Sequence, residues 1–563
     1  MRTGAAIVVV SGLLALSGCG IPQPTTQETE LEGNVFASAS AGGAPVQGAR
    51  VTARVGDVTR STITGPDGRF SFELNTTQTA QAFTLTVEPP VGANLFAATY
   101  DNVPLEAYTS PYGAANELSI YLGTTRPSAA LPGAAPRRGC ITGVLKDTDG
   151  RPLPSNAQSV VAVGGGKFVS RPLYPGCATE FSAVPNFAAS SSLLPQPGET
   201  GLVVYGGGRV VRTDEQGRYL MPVQTTQNLH GVSGSMWAGN FDGTDTGDIN
   251  TANAVFWSKF QYVPEVPVFT SGATDTRDLQ LEAFDPATNP RVTTQPVRYD
   301  GSAIATQGSA FFVETTPSFD HAITSGALPL GLYYSENVSG SADLRVVKLA
   351  SEARAQNISV VSSATRYDPQ DETYQGSATF TGWRDGSNIG QALTANFLGI
   401  PAPQTPTFED EGVSRTPTLS WTGVQNAKVY AVGVYRLPSG GGALPVWTGY
   451  TTSTSLQVPI QLEANAEYLW QVSTDDSAEM LDYIGSDPLK TEAARWRSAG
   501  ALPKARTLDS ALNAWRGEVA LGIQRATGAL PQRLAGSDAF GQDLLEKGYR
   551  TADSQEFTFT TGN

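Results

Sequence analysis

From Leu31 onward, short runs of alternating apolar residues are separated by clusters of turn-forming residues. The run Arg-Phe-Ser-Phe-Glu-Leu at 69–74 alternates with a period of two and follows the turn sequence Gly-Pro-Asp-Gly at 65–68. Proline presets one turn dihedral and glycine tolerates positive φ, so this pattern predicts a β-hairpin. Because similar runs recur along the chain, the sequence predicts a mainly β protein built from tandem β-sandwich domains.

The composition supports several such domains and excludes some partners. The chain has 563 residues, of which 60 are Gly and 37 are Pro, and only 16% are charged. This length is typical of roughly three to four domains. The 37 basic and 52 acidic residues give a net charge of −15. An acidic surface repels nucleic-acid phosphates and anionic headgroups, so we expect no nucleic-acid partner and no electrostatic docking to a membrane.

The N-terminus carries a targeting signal. Arg2 precedes an apolar segment at 5–16, which is too short to span a bilayer, and the tetrapeptide Leu-Ser-Gly-Cys occupies 16–19. This tetrapeptide resembles the lipobox of bacterial lipoproteins. The resemblance implies that a signal peptide, 1–18, is cleaved and that Cys19 is acylated on its thiol and its amine. We therefore expect a cell-envelope protein held by lipid, preferably at the outer membrane or cell surface. An ordinary secretory signal with a free cysteine is the alternative.

The segment 19–30 contains few apolar residues and reads as a flexible tether. After it, four ordered segments at 33–35, 45–51, 64–72 and 83–87 resemble the carboxypeptidase regulatory-like, transthyretin-like β-sandwich family. The resemblance covers 31–123. It implies a seven-stranded, non-catalytic sandwich that serves as a spacer, adhesion or assembly module.

A second copy of this pattern follows an Ala/Pro-rich linker at 124–138. The sequence Thr-Asp-Glu-Gln-Gly-Arg-Tyr at 213–219 has the spacing of 64–70, and Gly143 corresponds to Gly33. The sequence therefore predicts a second regulatory-like β-sandwich at 139–285, which carries an insertion between two glycine clusters.

Two cysteines besides Cys19 fall in this second module. Cys140 precedes its first strand and Cys177 lies in the insertion. In an exported chain we expect them to form a disulfide, which would stabilise the module by about 4 kcal/mol in the chain-entropy model. Two free thiols or a metal-binding pair are the alternatives.

The loop 242–253 has alternating oxygen-bearing side chains and a glycine at its sixth position, as calcium loops do. Its twelfth position is Asn253 instead of a glutamate, so a simple polar loop is the competing interpretation. Trp237 and Trp257 flank it. They are candidate ligand-contact aromatics for sugar stacking, and core packing is the simpler explanation.

The remaining chain predicts two more β-rich domains in series. Residues 286–400 contain short strands of no recognised family. Residues 401–563 resemble the fibronectin type III fold. Trp421 and Tyr430 match its core aromatics, and Leu462, six residues before Tyr468, matches its tyrosine corner. A long insertion precedes the final strand at 557–561. Within the insertion, 508–515 has helical spacing and predicts a small helical element.

The sequence gives no sign of an active site. The only histidines, His230 and His321, fall in different predicted domains, and neither a His-Glu-x-x-His helix nor a Gly-x-Ser-x-Gly elbow occurs. We therefore expect no catalytic residue, metal or cofactor. The predicted function is that of a non-catalytic structural, adhesion or assembly protein with envelope proteins or polysaccharides as partners. A glycan-binding protein is the first alternative, and an envelope hydrolase with paired carboxylates is the second.

Replacing Cys19 with serine removes the thiol that would carry an acyl chain. We expect the C19S protein to leave the membrane fraction, because each buried methylene of an acyl chain contributes about 0.8 kcal/mol to membrane binding. Cell fractionation with immunoblotting measures this, and a C140S protein should stay with the membrane. A C19S protein that sediments with the membrane would contradict the lipid anchor.

Overall fold

The computed structural model describes most of the chain. The described residues are 26–37, 44–77, 82–93, 95–105, 118–122, 137–154, 199–205, 209–225, 234–241, 254–266, 274–306, 309–321, 324–348, 356–371, 373–439, 443–476, 480 and 548–563. Strands dominate them, which confirms the prediction of a mainly β protein. The predicted helical element at 508–515 lies outside the described residues.

The first module contains seven strands in two sheets. One sheet has the order β4-β1-β7, with β1 antiparallel to β4 and parallel to β7. The other has the order β3-β2-β5-β6 and is antiparallel throughout. The strands are β1 Thr26–Phe36, β2 Arg50–Val55, β3 Val58–Ile63, β4 Arg69–Thr77, β5 Ala82–Glu88, β6 Ala97–Pro104 and β7 Leu118–Tyr121.

One hydrophobic core lies between these two sheets. Along β5 the buried positions alternate with partly exposed ones, as a strand with one covered face requires. Leu85 and Val87 of this strand share a core with Leu31 and Val35 of β1 in the opposite sheet. The first module is therefore a β-sandwich.

The second module repeats this topology. β8 is antiparallel to β11 and parallel to β15, and a second sheet has the order β10-β9-β12-β14-β17. Its strands are β8 Arg137–Lys146, β9 Glu199–Tyr205, β10 Arg209–Arg212, β11 Arg218–Thr225, β12 Gly234–Phe241, β13 Ala254–Phe256, β14 Lys259–Val266, β15 Thr274–Thr276, β16 Leu279–Gln280 and β17 Glu282–Ala283.

The two repeated turns make the same hydrogen bonds. Gly68 and Gly217 both have positive φ, 76° and 71°. The Gly68 carbonyl accepts a hydrogen bond from the Val35 amide at 2.9 Å, and the Gly217 carbonyl accepts one from the Leu145 amide at 2.8 Å. The spacing shared by the two turn sequences therefore corresponds to a shared local structure. The predicted β-hairpin is wrong, because the strands that each turn joins, β3 and β4 or β10 and β11, lie in different sheets of their sandwich.

The third module has the same strand pairing, although its sequence shows no resemblance to the first two. β18 is antiparallel to β22 and parallel to β25, while β21, β19, β23 and β24 form an antiparallel sheet in that order. Its strands are β18 Val292–Asp300, β19 Ala310–His321, β20 Thr324–Pro329, β21 Gly331–Ser335, β22 Ser339–Val347, β23 Gln356–Tyr367, β24 Tyr374–Arg384 and β25 Leu393–Asn396.

A glycine faces an aromatic residue at the same point of all three modules. Gly33 is opposite Phe70 in the first module and Gly143 is opposite Tyr219 in the second. In the third module the two residue types are exchanged, because Tyr299 is opposite Gly340. An aromatic ring placed over a cross-strand glycine covers backbone that has no side chain of its own. This pair therefore marks the equivalent position in each sandwich.

The last module is a sandwich with a different topology. A sheet of order β26-β28-β31 packs against strands β34, β32, β29 and β30. Trp421 and Trp470 lie in its core, and the Tyr468 hydroxyl accepts a hydrogen bond from the Glu463 amide at 2.9 Å. Its strands are β26 Pro403–Thr405, β27 Asp410–Val413, β28 Thr418–Trp421, β29 Val429–Arg436, β30 Leu444–Thr451, β31 Ser455–Gln457, β32 Glu467–Asp475, β33 Tyr549–Ser554 and β34 Phe557–Thr561.

One sheet of 16 strands runs through all four modules. Thirteen of its strands have the order β13-β21-β19-β23-β24-β33-β32-β29-β30-β6-β5-β2-β3, and β20, β27 and β34 pair off this path. The modules therefore follow one another as second, third, last and first. The order of the modules in this sheet therefore differs from their order along the chain. The reason is that β6 of the first module pairs with β30 of the last module, about which the local sequence carries no signal.

Replacing Gly33 with alanine should destabilise the first module by about 1–3 kcal/mol, because overpacking a filled site forces its neighbours to shift. A Cβ atom at Gly33 would lie 2.5 Å from the Leu118 carbonyl oxygen and 2.7 Å from Phe70 Cζ. Urea unfolding of the two proteins measures the change.

Gly399 provides the matched control. A Cβ atom there would meet Val424 and Ala303 no closer than 3.5 Å, which is ordinary contact. The G399A protein should stay within about 0.5 kcal/mol of the wild type. Equal effects of G33A and G399A would contradict the close packing at Gly33.

Candidate functional site

The first and last modules meet along two paired strands, and their side chains also pack together. Residues 97–100 of β6 pair in parallel with residues 447–450 of β30. These segments are about 350 residues apart in sequence. The first pairs place Ala97 opposite Trp447 and Ala98 opposite Thr448. The indole ring of Trp447 lies beside Gly449 of its own strand, where a Cβ atom would come within 2.4 Å of it. We name this junction the first–last seam.

Aromatic and hydroxyl side chains make contacts that stabilise the first–last seam. The Trp447 indole is fully buried, and its Nε1 donates a hydrogen bond to Thr99 Oγ1 at 3.0 Å. The Tyr100 and Tyr450 rings stack with centroids 5.3 Å apart. A buried indole N–H without an acceptor is costly. Thr99 supplies that acceptor, so the Trp447 N–H does not oppose the contact between the first and last modules.

Asp101 bridges the two modules through its carboxylate. Its Oδ1 accepts a hydrogen bond from Thr84 Oγ1 at 2.6 Å within the first module, and its Oδ2 accepts one from Thr451 Oγ1 at 2.9 Å in the last module. Hydrogen bonds to an ionised acceptor are stronger than neutral ones. One carboxylate thus connects the edge strands of both modules.

The hydrophobic cores also continue across the seam. Val429, Ala431 and Tyr450 of the last module belong to the core of the first, while Ala97 of the first module belongs to the core of the last. Shared cores oppose independent movement, because separation would expose apolar surface on both sides. The seam is therefore a packed junction with its own apolar interior.

The other two junctions also pair strands from different modules. β33 lies between β24 of the third module and β32 of the last, and the Arg550 amide and Nε donate to Asp476 at 2.8 and 2.6 Å. β13 of the second module pairs with β21 of the third. Phe260 of the second module lies in the core of the third.

The structure corrects one candidate contact residue. Trp257 is only 2% exposed and belongs to the core shared by the second and third modules. Its ring packs beside Gly239, where a Cβ atom would come within 2.6 Å of Trp257 Cε3. It is a core side chain and offers no face to a sugar ring.

The other candidate residues lie wholly or partly outside the described part of the chain. Cys19, Cys177 and the loop 242–253 are outside it. Cys140 lies in β8, where its backbone is opposite Pro222 of β11. Trp237 lies in β12, and its side chain is outside the described part. The predicted disulfide, calcium loop and lipid anchor stay predictions.

An open groove of about 620 Å³ lies where the second module meets the third. It is lined mostly by polar side chains, among them Asp278 and Glu282. Lys146 donates to Asp278 at 2.9 Å, and this bond, with a smaller contribution from the Val144 amide, lowers the pKa of Asp278. Arg291 donates to Glu282 at 2.7 Å. Both carboxylates thus act in structural ion pairs.

The described ranges contain no group of three His, Cys, Asp or Glu side chains arranged to hold a metal ion. Within the same ranges, no helix has the length and apolar character needed to cross a membrane.

No protein-family profile and no curated protein matches the chain. Solved structures that it resembles weakly include the Bacillus anthracis TIE protein, with 8% identity over 66% of this chain and 50% of that one and a TM-score of 0.12. The chain spans half of that protein's solved length. A tetra-tandem repeat from the extending region of a large adhesion protein has 12% identity over 79% of this chain and 95% of its own, at a TM-score of 0.11.

A Ca²⁺-stabilised adhesin of an Antarctic bacterium has 12% identity over 81% of this chain and 96% of its own, also at a TM-score of 0.11. TM-scores this low carry no argument about function.

Sequence reasoning missed the residues of the first–last seam. Thr99, Asp101 and Thr451 carry hydroxyl and carboxylate groups, which are equally suited to a solvated face. The burial of every residue over 97–100 and 447–451 distinguishes these strands, and burial against a distant module leaves no local pattern.

Replacing Asp101 with alanine leaves the Thr84 and Thr451 hydroxyls without their acceptor. We expect the first–last seam to weaken by about 1–3 kcal/mol, the cost of removing one partner from a partly buried hydrogen bond to a charged group. The midpoint of the first unfolding transition in urea should fall. D57A removes an exposed carboxylate from the same module and should leave that midpoint unchanged; equal midpoints for D101A and wild type would contradict the bridging role.

Proposed function

We propose that this protein is a lipid-anchored, non-catalytic protein of the bacterial cell envelope that acts as a structural, adhesion or assembly module. The observation that carries the proposal is the 16-stranded sheet that joins all four modules. Backbone pairing at each junction fixes the orientation of neighbouring sandwiches, whereas flexible linkers would leave them free. A fixed orientation of the modules suits a protein that holds a contact surface for a partner at a set position.

The module types support the same function. The first two modules combine the regulatory-like turn sequences with a shared two-sheet topology, and the last has the strand arrangement and the tyrosine contact of fibronectin type III domains. We propose these family assignments for 31–123, 139–285 and 401–563. Both families supply spacer and binding modules that do no chemistry of their own.

The order of modules in the sheet identifies the part that would face a partner. Cys19, the proposed anchor, precedes the first module, and the second module lies at the opposite end of the module order. A partner arriving from outside would therefore meet the second module before the anchored one. We propose the second module, with its insertion and the proposed Cys140–Cys177 disulfide, as the principal contact region for envelope proteins or polysaccharides.

Cross-linking in the native cell tests this proposal. Intact cells that make the wild-type or the C19S protein are treated with a short cross-linker that joins activated carboxyl groups, which all four modules carry, and the cross-linked peptides are identified by mass spectrometry. We expect intermolecular cross-links from the wild type to concentrate in the second module and to disappear in C19S cells.

Two results would overturn the proposal. Cross-links confined to the first module would contradict the placement of the contact region. Turnover of glycoside or peptide substrates by the purified protein would contradict a non-catalytic function, provided that the activity follows the protein through two different chromatographic steps.

A further inference from the structure

Strand β3 ends the 16-stranded sheet on the side of the first module. It pairs with β2 along all six of its residues, and among the described residues no strand pairs with its other edge. Its side chains are mostly exposed, and Ile63 is 55% exposed. An uncovered edge with unpaired N–H and C=O groups is a template for another strand.

The third module shows which kind of strand can pair with this edge. Its β21 occupies the position of β3, because β21 pairs with β19 as β3 pairs with β2. There, β13 covers the outer edge of β21 as an antiparallel strand, with Ala254 opposite Tyr333 and Phe256 opposite Gly331. The same edge of this sandwich type thus takes an antiparallel strand elsewhere in the chain.

We propose that a second copy of this chain covers β3 with its own β3, in an antiparallel pair about a two-fold axis normal to the sheet. Thr64 donates its amide to the Ala49 carbonyl at 2.9 Å, on the side of β2. Amide directions alternate along an antiparallel strand, so those of Thr59, Ser61 and Ile63 face outward. A two-fold axis places these outward groups opposite one another.

Two such registers pair five of the six residues of β3, those centred on Arg60 and on Ser61, and charge selects one of them. Centring the axis on Arg60 would place two guanidinium groups directly opposite each other, which is destabilising. Centring it on Ser61 places Ser61 opposite Ser61 of the second copy, and Thr59 opposite Ile63. Arg60 then lies opposite Thr62 of the second copy. The dimer would extend the existing sheet across the axis with no two like charges directly opposite each other.

Cysteine cross-linking tests this register. In a hydrogen-bonded antiparallel pair the two Cα atoms are about 5.5 Å apart, within the range that a disulfide spans. A S61C protein should therefore form a disulfide-linked dimer under mild oxidation. Arg60 and Arg60 of the second copy are diagonal neighbours about 7–8 Å apart, so R60C should form roughly tenfold less dimer.

The wild-type chain, with its own three cysteines, gives the background on non-reducing gels. Dimer from S61C at the level of wild type or of R60C would overturn the proposal. So would a S61C adduct that contains a different protein.

A charge exchange provides a second test that does not depend on oxidation. S61K and S61E each place like charges opposite each other at the axis, so each protein alone should sediment as a monomer. An equimolar mixture should recover the dimer, because lysine then faces glutamate. Both variants lose the same 2.8 Å contact between the Ser61 and Thr52 hydroxyls, so its loss cannot separate them.

The same two substitutions at Thr394, an exposed residue of edge strand β25, are the control and should leave sedimentation unchanged. A mixture of S61K and S61E that stays monomeric while the wild type dimerises would overturn the proposed register. A wild type that stays monomeric at every concentration would overturn the dimer itself.

Discussion

Every β-sandwich with open sheets has edges whose N–H and C=O groups need partners, and this requirement organises the whole molecule. The chain satisfies it by pairing edges of different modules: β6 with β30, β24 with β33, and β21 with β13. Edge pairing joins modules strongly because it adds backbone hydrogen bonds to side-chain packing. It also gives the molecule an order in space that differs from the order along the chain.

The three sandwiches of the first, second and third modules share one topology, and a single cross-strand pair lies next to the end of the same strand pairing in each. Gly33 and Gly143 lie under aromatic rings, and in the third module Tyr299 covers Gly340 from the other strand. This packing needs an aromatic ring on one strand and a glycine opposite it on the other, so either strand can supply the ring. Comparing the sequences position by position therefore detects the repeat in the first two modules and misses it in the third, where the two residue types are exchanged.

The sequence predicted those features that depend on neighbours along the chain. Alternation identified strands such as β5, and the turn residues ending in Gly68 and Gly217 predicted two turns that make the same hydrogen bonds. The predicted hairpin is wrong, because whether two strands joined by a turn pair with each other depends on the rest of the sandwich. The seam between Asp101 and Thr451 could not be predicted, since backbone pairing between edges places few demands on side chains. Trp257 shows the same limit, because its burial depends on the third module packing against the second.

The function proposed for the protein depends on the first–last seam, because without it the last module would not link the first to the third. Hydrogen exchange of the backbone amides in β6 and β30 measures this seam directly in the intact chain. Our account predicts that the amides of both strands are protected to a similar degree and lose protection together in D101A. Rapid exchange along one edge of β30, with β6 unaffected by D101A, would show that the two modules do not pair.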